Sequence, residues 1–353
     1  MKYVVRLFLL LLLPVGAGYA QAPWRVDTAA CIGQNPGLYS IVVAQGGKGI
    51  VYEQYFNGHH REDCLLDHSL TKSVVSLLVG IAIDKGFIPS ADEPISHYFP
   101  QLAKDADPRK QQITIRQVMN QASGLWHENL ESPNGLYDYL AQPDPSGYVL
   151  AQPLVSDPGK VFQYNNAGSH LLSVILTKAT GMNTLAFAQQ YLFGPLGITS
   201  VQWDKMKDGY YDGAGLGDVC MRSVDMLKIG QLILDGGIYQ GKQIIPTAWI
   251  KVVRDPAETY HTPWGFQPSR YAAFYYHYAL SDEVITYGQG WGGQYLVILP
   301  REDAVIVINQ DPRDRDAVKR AVGFTSQIFP ILYARLREIR GSGVVDPPGT
   351  ILH

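Results

Sequence analysis

Asp67-His68-Ser69-Leu70-Thr71-Lys72-Ser73 opens a helical stretch that runs to about Lys85 and stops at Gly86, the residue type a helix C-terminus favours. Residues three apart share one helical face, so this spacing brings the Ser69 hydroxyl within reach of the Lys72 amine. That is the Ser-x-x-Lys layout of serine acyl-transfer enzymes that use lysine as partner. A hydroxyl needs a base to become a nucleophile, and an amine serves only where burial or neighbouring cations lower its proton affinity. The helix N-terminus adds unpaired N–H groups that favour negative charge on an attacked carbonyl oxygen. By chance alone a Ser-x-x-Lys arises about once in a chain of this composition, and a capping serine followed by a solvated lysine would look the same. The rest of the helix decides between them. Val74, Val75, Leu77, Leu78, Val79, Ile81, Ala82 and Ile83 make it apolar nearly all round, so it is buried, and a lysine near its start is costly unless it is used.

On either side of the helical middle the pattern turns to strands. Tyr39–Ala44 and Gly49–Tyr55, joined by Gln45-Gly46-Gly47-Lys48, read as one hairpin, and Gln294–Leu299 with Ala304–Ile308 as a second. Between them helices are expected from Ala167 to Ala179, then to Phe193, and from Asp225 to Leu234, with a C-terminal helix from Asp314 to Arg340. Trp126–Pro158 is rich in Pro, Gly, Asn and Tyr without a clear period, as binding loops often are. The fold class is therefore α+β: an antiparallel sheet built from both ends and flanked by helices, with a mainly helical lobe inserted. One domain spans about 21–345, its sheet lobe about 23–66 plus 215–340 and its helical lobe about 67–214, before a loose tail at 341–353.

Lys2, Arg6, the apolar run Leu7–Val15 and Gly18-Tyr19-Ala20 read as a secretory signal peptide cut after Ala20, its core too short to span a bilayer. No cysteine stands at the cleavage point, so no membrane anchor is expected, and the protein reads as exported, periplasmic or secreted. With 353 residues, 46% hydrophobic, 17% charged and a net charge of −3, the composition is that of a globular enzyme and argues against nucleic acid as a partner. Cys31, Cys64 and Cys220 allow one internal disulfide in an oxidising compartment and leave one thiol over; which two pair is open.

Two further stretches carry chemistry. Tyr164-Asn165-Asn166 lies between Pro158-Gly159 and the helix from Ala167; a phenol on a tight loop can relay a proton and an amide can orient a lysine or a substrate carbonyl. A second Tyr-x-Asn, Tyr55-Phe56-Asn57, ends a strand at Asn57-Gly58 and reads as turn chemistry. Gly288-Gln289-Gly290-Trp291-Gly292-Gly293 matches Gly-x-Gly-x-x-Gly, but a strand and not a helix follows, so a dinucleotide site is rejected. It reads instead as an edge strand whose missing side chains let a substrate approach and which supplies an oxyanion N–H beside that of Ser69.

With these motifs in this order, the sequence resembles the serine β-lactamase and penicillin-binding-protein superfamily. Within it the resemblance is to the group related to class C β-lactamases, family VIII carboxylesterases and aminohexanoate-oligomer hydrolases. The likeness runs from about Tyr39 to Pro330 and takes in Ser123-Gly124-Leu125, Pro158-Gly159, Gly194-Pro195-Leu196-Gly197-Ile198, Ser223–Leu232 and Gly290-Trp291-Gly292-Gly293-Gln294. It implies an acyl-enzyme hydrolase with Ser69 as nucleophile, Lys72 as its base, Tyr164 as proton relay and Asn166 as orienting amide, without metal or cofactor. Members that act on β-lactams or peptidoglycan usually carry Lys-Thr-Gly on the third-motif strand. Here no Lys stands between Ile285 and Gly290; Trp291-Gly292-Gly293 resembles the Trp-Gly-Gly of the esterase branch, whereas a gapless comparison from Pro300 backwards puts the Lys-Thr-Gly position nearer Ile285-Thr286-Tyr287, and the two registers stay open. A small uncharged ester or amide is the expected substrate. A peptidoglycan D,D-peptidase or β-lactamase, rescued by Arg222 or Arg270, and a silent binding protein of the same fold are the alternatives.

The remaining polar clusters have plainer readings. His59-His60 with Glu62-Asp63 lacks helical ligand spacing and reads as a solvated loop. His68 adjoins Ser69, but neighbours on a helix point apart. Phe274-Tyr275-Tyr276-His277-Tyr278, with Trp126 and Trp264, fits either a cleft lining or ordinary packing.

Overall fold

Period-two and period-3.6 segments fall into the order the sequence suggests. In a computed structural model that describes residues 35–46, 48–129, 135–217, 219–313 and 316–341, the chain begins with β1 (Leu38–Gln45), β2 (Gly49–Tyr55) and β3 (Leu65–Leu66), which leads into α1 (Leu70–Asp84). The middle follows with α2 (Ile115–Met119), α3 (Gly135–Ala141), α4 (Pro145–Ala151), α5 (Asn166–Thr180) and α6 (Thr184–Ala188), and then β4 (Val201–Trp203) and β5 (Val219–Met221). Next come α7 (Ser223–Leu234), β6 (Ile238–Tyr239), β7 (Lys242–Gln243), α8 (Thr247–Arg254), β8 (Tyr260–Thr262) and β9 (Ser269–Ala272). The chain then forms β10 (Tyr275–Leu280), β11 (Glu283–Gly290), β12 (Gln294–Leu299), β13 (Ala304–Gln310), α9 (Ala317–Gly323) and α10 (Phe329–Gly341), the last two joined by a π-helical turn.

Eight strands make one sheet in the order β2-β1-β13-β12-β11-β10-β9-β8, antiparallel at each pairing. Ile41 lies opposite Ile308 and Val43 opposite Ile306, so the N-terminal hairpin completes the C-terminal sheet. One face meets α7, whose Gly230 packs on Leu296 and Val305. The other is covered by α9 and α10: the Tyr295 ring lies 4.4 Å from that of Phe324, and its hydroxyl donates to the Ala321 carbonyl at 3.2 Å. This is the α+β arrangement expected.

The α1 helix sits between the sheet and the helices of the middle. Every residue from Leu70 to Ala82 is buried. Leu70, Val74, Val75, Leu77, Leu78, Val79 and Ile81 are almost fully excluded from water, and burying each contributes about 1.5–3 kcal/mol relative to exposure. That sum offsets the cost of also burying Lys72.

Several elements depart from expectation. The stretch from Trp126 to Pro158 contains the short helices α3 and α4, started by Pro145 behind an Asp144 cap in the second case. The aromatic run is β10, and it packs: Tyr276 stacks on Tyr287 at 5.0 Å. Cys64 pairs with Cys220, tying the strand that leads into α1 to β5. Met1–Ala20, Cys31 and the tail after Gly341 lie outside the described residues. No single helix among the described residues is long and apolar enough to cross a membrane.

Candidate active site

Ser69 occupies the N-cap of α1, and its own N–H makes no hydrogen bond among the described residues. One turn on, Lys72 is 1% exposed and its Nζ donates to Ser69 Oγ at 3.0 Å, Asn166 Oδ1 at 2.7 Å and the Ala214 carbonyl at 2.6 Å. From the loop before α5, the Tyr164 hydroxyl donates to Ser69 Oγ at 2.8 Å, and Lys72 Nζ sits 5.0 Å from the Tyr164 ring centre. Ser69, Lys72, Tyr164 and Asn166 are therefore brought together as one hydrogen-bonded group.

Two proton arrangements satisfy this geometry. An ammonium at Lys72 fills all three acceptors with its three N–H groups. A neutral amine keeps two N–H groups on Asn166 Oδ1 and the Ala214 carbonyl oxygen, atoms that can only accept, and turns its lone pair to the Ser69 hydroxyl. The second arrangement is that of a general base.

Three supports of this group were not singled out from sequence. Glu128, 1% exposed, accepts from Asn166 Nδ2 at 2.5 Å and from the backbone N–H groups of Asn166 and Ala167 at 3.0 and 3.1 Å. The buried Asp212 carboxylate accepts from the N–H groups of Ala214, Leu216 and Gly217 at 2.7, 2.5 and 2.7 Å, curling the loop that presents the Ala214 carbonyl to Lys72. Inside that loop Gly215 has φ +74° and would put a Cβ 1.9 Å from the His68 carbonyl oxygen, so only glycine fits. Burial also pushes the Asp67 carboxyl well above the usual carboxylate range, which favours its uncharged form two residues before Ser69.

The third motif splits into two parts. Gly288, Gln289 and Gly290 end β11, which is the fifth strand of the sheet and not an edge. Pairing with β10 stops at Tyr287, however, so these last three residues present an open flank beyond it while β12 pairs the other side. A Cβ on Gly288 would meet Leu70 and Ser73 of α1, and one on Gly290 would lie 2.4 Å from the Asp67 carbonyl oxygen. Missing side chains thus allow the strand to lie against the start of α1. Trp291 and Gly292 stand outside the strand, in the turn to β12, with Trp291 57% exposed and its Nε1 donating to Pro312 O at 3.1 Å. The sequence reading that placed them on an edge strand is corrected, because Gly292 at φ +87° and Gly293 at φ +92° reverse the chain there.

Alternation along β11 also answers the Lys-Thr-Gly comparison. Gly288 faces α1, so Ile285 and Tyr287 face the opposite side. There the Tyr287 hydroxyl accepts from the Phe266 N–H at 3.0 Å and bonds Ser269 Oγ at 2.6 Å. Neither arginine considered from sequence stands ready as a substitute cation. Arg222 is engaged by Asp225 at 2.7 Å and Glu62 at 2.5 Å, and Arg270 donates to Thr259. Trp264, 43% exposed, meets the Tyr164 ring edge-on at 5.4 Å and makes an apolar wall beside the hydroxyls.

The bland readings fit the contacts seen. His59 bonds Asp63 at 2.9 Å. Asn57, at φ +53°, donates to the Pro36 and Leu38 carbonyls as a turn residue. The groups on Ser69 Oγ are Lys72 and Tyr164, not His68.

Comparison with known proteins agrees with this architecture. The family model described as Beta-lactamase matches residues 27–324. The 6-aminohexanoate-dimer hydrolase of Paenarthrobacter ureafaciens is 26% identical over 280 residues, covering 74% of this chain and 69% of the relative. Among solved structures, a candidate 6-aminohexanoate-dimer hydrolase from Bacillus anthracis superposes with a TM-score of 0.71 at 18% identity, over 89% of this chain and 82% of that one. A class C beta lactamase from Rhodobacter sphaeroides gives a TM-score of 0.63 at 17% identity, over 86% and 99%. At such identities the two structures speak for the fold alone, but the family match spans most of the chain. The chain belongs to the Beta-lactamase family of hydrolases.

Proposed function

We propose that this protein is an exported serine hydrolase that opens a small, uncharged ester or amide through an acyl-enzyme on Ser69. The observation that carries the reading is the convergence on Ser69 Oγ of two proton-handling groups from separate segments, Lys72 at 3.0 Å and Tyr164 at 2.8 Å. In the forward step Ser69 Oγ bonds to the substrate carbonyl carbon and its proton passes to Lys72. Tyr164 hands its proton to the departing alkoxide or amide nitrogen as the scissile bond breaks and is reprotonated from the Lys72 ammonium, so that both groups are restored and water can repeat the sequence on the acyl-enzyme, releasing the acid and Ser69. The Ser69 N–H at the helix start and an N–H at the end of β11 or in its turn would hold the oxyanion.

Substrate charge follows from what surrounds the nucleophile. Among the described residues, no cation besides Lys72 is bonded to the Ser69, Tyr164 and Asn166 group. An unpaired substrate carboxylate buried there would cost several kcal/mol. The exposed indoles of Trp264 and Trp291 favour apolar neighbours instead. The relative named for hydrolysing a 6-aminohexanoate dimer makes an amide the second class to test. Export is supported by the Cys64–Cys220 disulfide, a bond that persists in oxidising compartments, and by the leader read in Met1–Ala20.

The test is a panel on the purified protein and its Ser69→Ala variant: fluorophosphonate labelling, p-nitrophenyl butyrate, p-nitroacetanilide as a neutral amide and benzylpenicillin. Labelling and ester hydrolysis should vanish in the variant. Benzylpenicillin should show kcat/KM at least about a hundredfold below the ester, about 2.7 kcal/mol in the transition state. Undiminished turnover by the variant, or a wild-type preference for penicillin, would overturn the reading.

A further inference from the structure

We infer that Glu128 is a positioning residue of this site: through the Asn166 amide it dictates which atom Lys72 meets, and it sets the charge against which Lys72 exchanges its proton. The inference rests on the proposed roles of Ser69, Lys72 and Tyr164. Glu128 touches none of them directly, and its carboxylate is buried.

The first argument is direction. An asparagine amide has an accepting and a donating end of nearly equal size. Asn166 Nδ2 donates to Glu128 Oε1 at 2.5 Å, which leaves Oδ1 facing Lys72 Nζ at 2.7 Å. A reversed amide would aim two N–H groups at the lysine and the other end's oxygen at a carboxylate, losing both bonds. A carboxylate at 128 forbids that reversal because it can only accept. A glutamine there could accept or donate, and would leave the amide free to turn.

The second argument is charge. No ion pair joins Glu128 to a cation among the described residues, and its remaining partners are the N–H groups of Asn166 and Ala167 at the start of α5. Lys72 is the nearest cation along the hydrogen bonds, one amide away. Asn165 Oδ1 accepts from the Gly168 N–H at 2.6 Å and Glu128 from the two N–H groups before it, so the carboxylate shares the capping of α5 with Asn165 while its Oε1 also holds the Asn166 amide. The Glu128 loop is itself held in place, with Asn165 Nδ2 donating to the Leu125 and Trp126 carbonyls at 3.2 and 3.0 Å. A buried anion kept without a direct counter-ion, and aimed at an amide that meets the catalytic lysine, is a device for orienting that lysine. The buried Asp212 carboxylate, which curls the loop presenting the Ala214 carbonyl to Lys72, is the other anion beside this lysine and is kept in every variant below, so loss of the Glu128 charge alone should move the acid limb of the pH–rate profile to lower pH.

Glu128→Gln, Glu128→Asp, Asn166→Ala and the double variant Glu128→Gln/Asn166→Ala test this with p-nitrophenyl butyrate from about pH 5 to pH 10. Glu128→Gln should lower kcat about tenfold or more with KM within about twofold, and move the acid limb down by about half a pH unit or more. Glu128→Asp, which keeps the charge, should leave the limb near its wild-type place. The double variant should be little worse than Asn166→Ala, because both changes break one path. An unmoved acid limb in Glu128→Gln, a rise in KM alone, or losses that multiply in the double variant would overturn the inference; should Glu128→Gln not fold, the limb in Glu128→Asp decides, a large shift there being contrary. Fluorophosphonate labelling separates the two levels. Labelling that needs Ser69, with any of those contrary results, sinks this inference alone, whereas labelling that persists in Ser69→Ala sinks the reading beneath it.

Discussion

Gly290→Ala probes the contact that seats β11 against the start of α1, beside Ser69. The added Cβ would lie 2.4 Å from the Asp67 carbonyl oxygen and 3.1 Å from the Gln294 Cβ. A carbon and a carbonyl oxygen ordinarily come no closer than about 3.3 Å, so the two segments must part by about 0.9 Å. The obstructing atom at Asp67 is backbone and cannot swing aside as a side chain would. Asp67 stands two residues before Ser69, and a misplacement of about 1 Å at a reacting centre can cost about a hundredfold in rate. Overpacking of this kind costs about 1–3 kcal/mol of stability, which for a protein of this size lowers Tm by about 2–10 °C. Gly290→Ala should therefore stay folded while kcat/KM for p-nitrophenyl butyrate falls about a hundredfold. Gly323→Ala is the matched control. Its Cβ would meet nothing nearer than Gln327 Oε1 at 3.6 Å, and it lies in a helix where alanine is favoured by about 1 kcal/mol. Thermal unfolding and steady-state hydrolysis read both variants side by side. A Gly290→Ala enzyme within about threefold of wild type would show that the spacing at Asp67 is not coupled to the placement of Ser69.

Lys72→Ala and Tyr164→Phe should each lower kcat on the order of a hundredfold or more, with a double variant far short of the product; independent, multiplying losses would place the two on separate proton paths. The Cys64–Cys220 bond closes a loop of 156 residues, which in the chain-entropy description stabilises the fold by about 5 kcal/mol. Cys64→Ser/Cys220→Ser should accordingly lose on the order of 10 °C in Tm, and a loss under about 2 °C would refute that account. Asp67→Asn addresses pH. Because burial raises the folded-state pKa of Asp67 above its unfolded value, the native state holds a proton that the unfolded chain releases as pH rises, so Asp67 weakens the fold increasingly above the unfolded pKa. The variant should be more stable than wild type near neutral pH by on the order of 1 kcal/mol, with the gain shrinking towards about pH 4. A constant difference across that range in pH-dependent denaturant unfolding would contradict it.

What the sequence determined by itself is what depends on neighbours within a turn or a pleat. Ser69 and Lys72 meet because helical geometry puts i and i+3 on one face, and α1 is buried along its length because its apolar residues run round it. The two hairpins, and the ends of α1 and α5 at Gly86 and Gly181 with φ +74° and +69°, follow equally from local pattern and from the left-handed conformation glycine tolerates. The strands β8 to β10 were hidden because each is short and their aromatic run has no clean alternation.

Tertiary structure alone decided the partners. The Ala214 carbonyl reaches Lys72 across 142 residues, Glu128 fixes Asn166 across 38, and Cys64 finds Cys220 across 156, a choice that three cysteines left open. Period-two alternation puts Ile285 and Tyr287 on one face of β11, yet only the helices that cover the sheet determine that this face looks away from Ser69. Spacing in a chain constrains which side chains share a face. Which faces meet is set by the packing of the whole core, and there the orientation of Lys72 and the open flank of β11 beside Ser69 were decided.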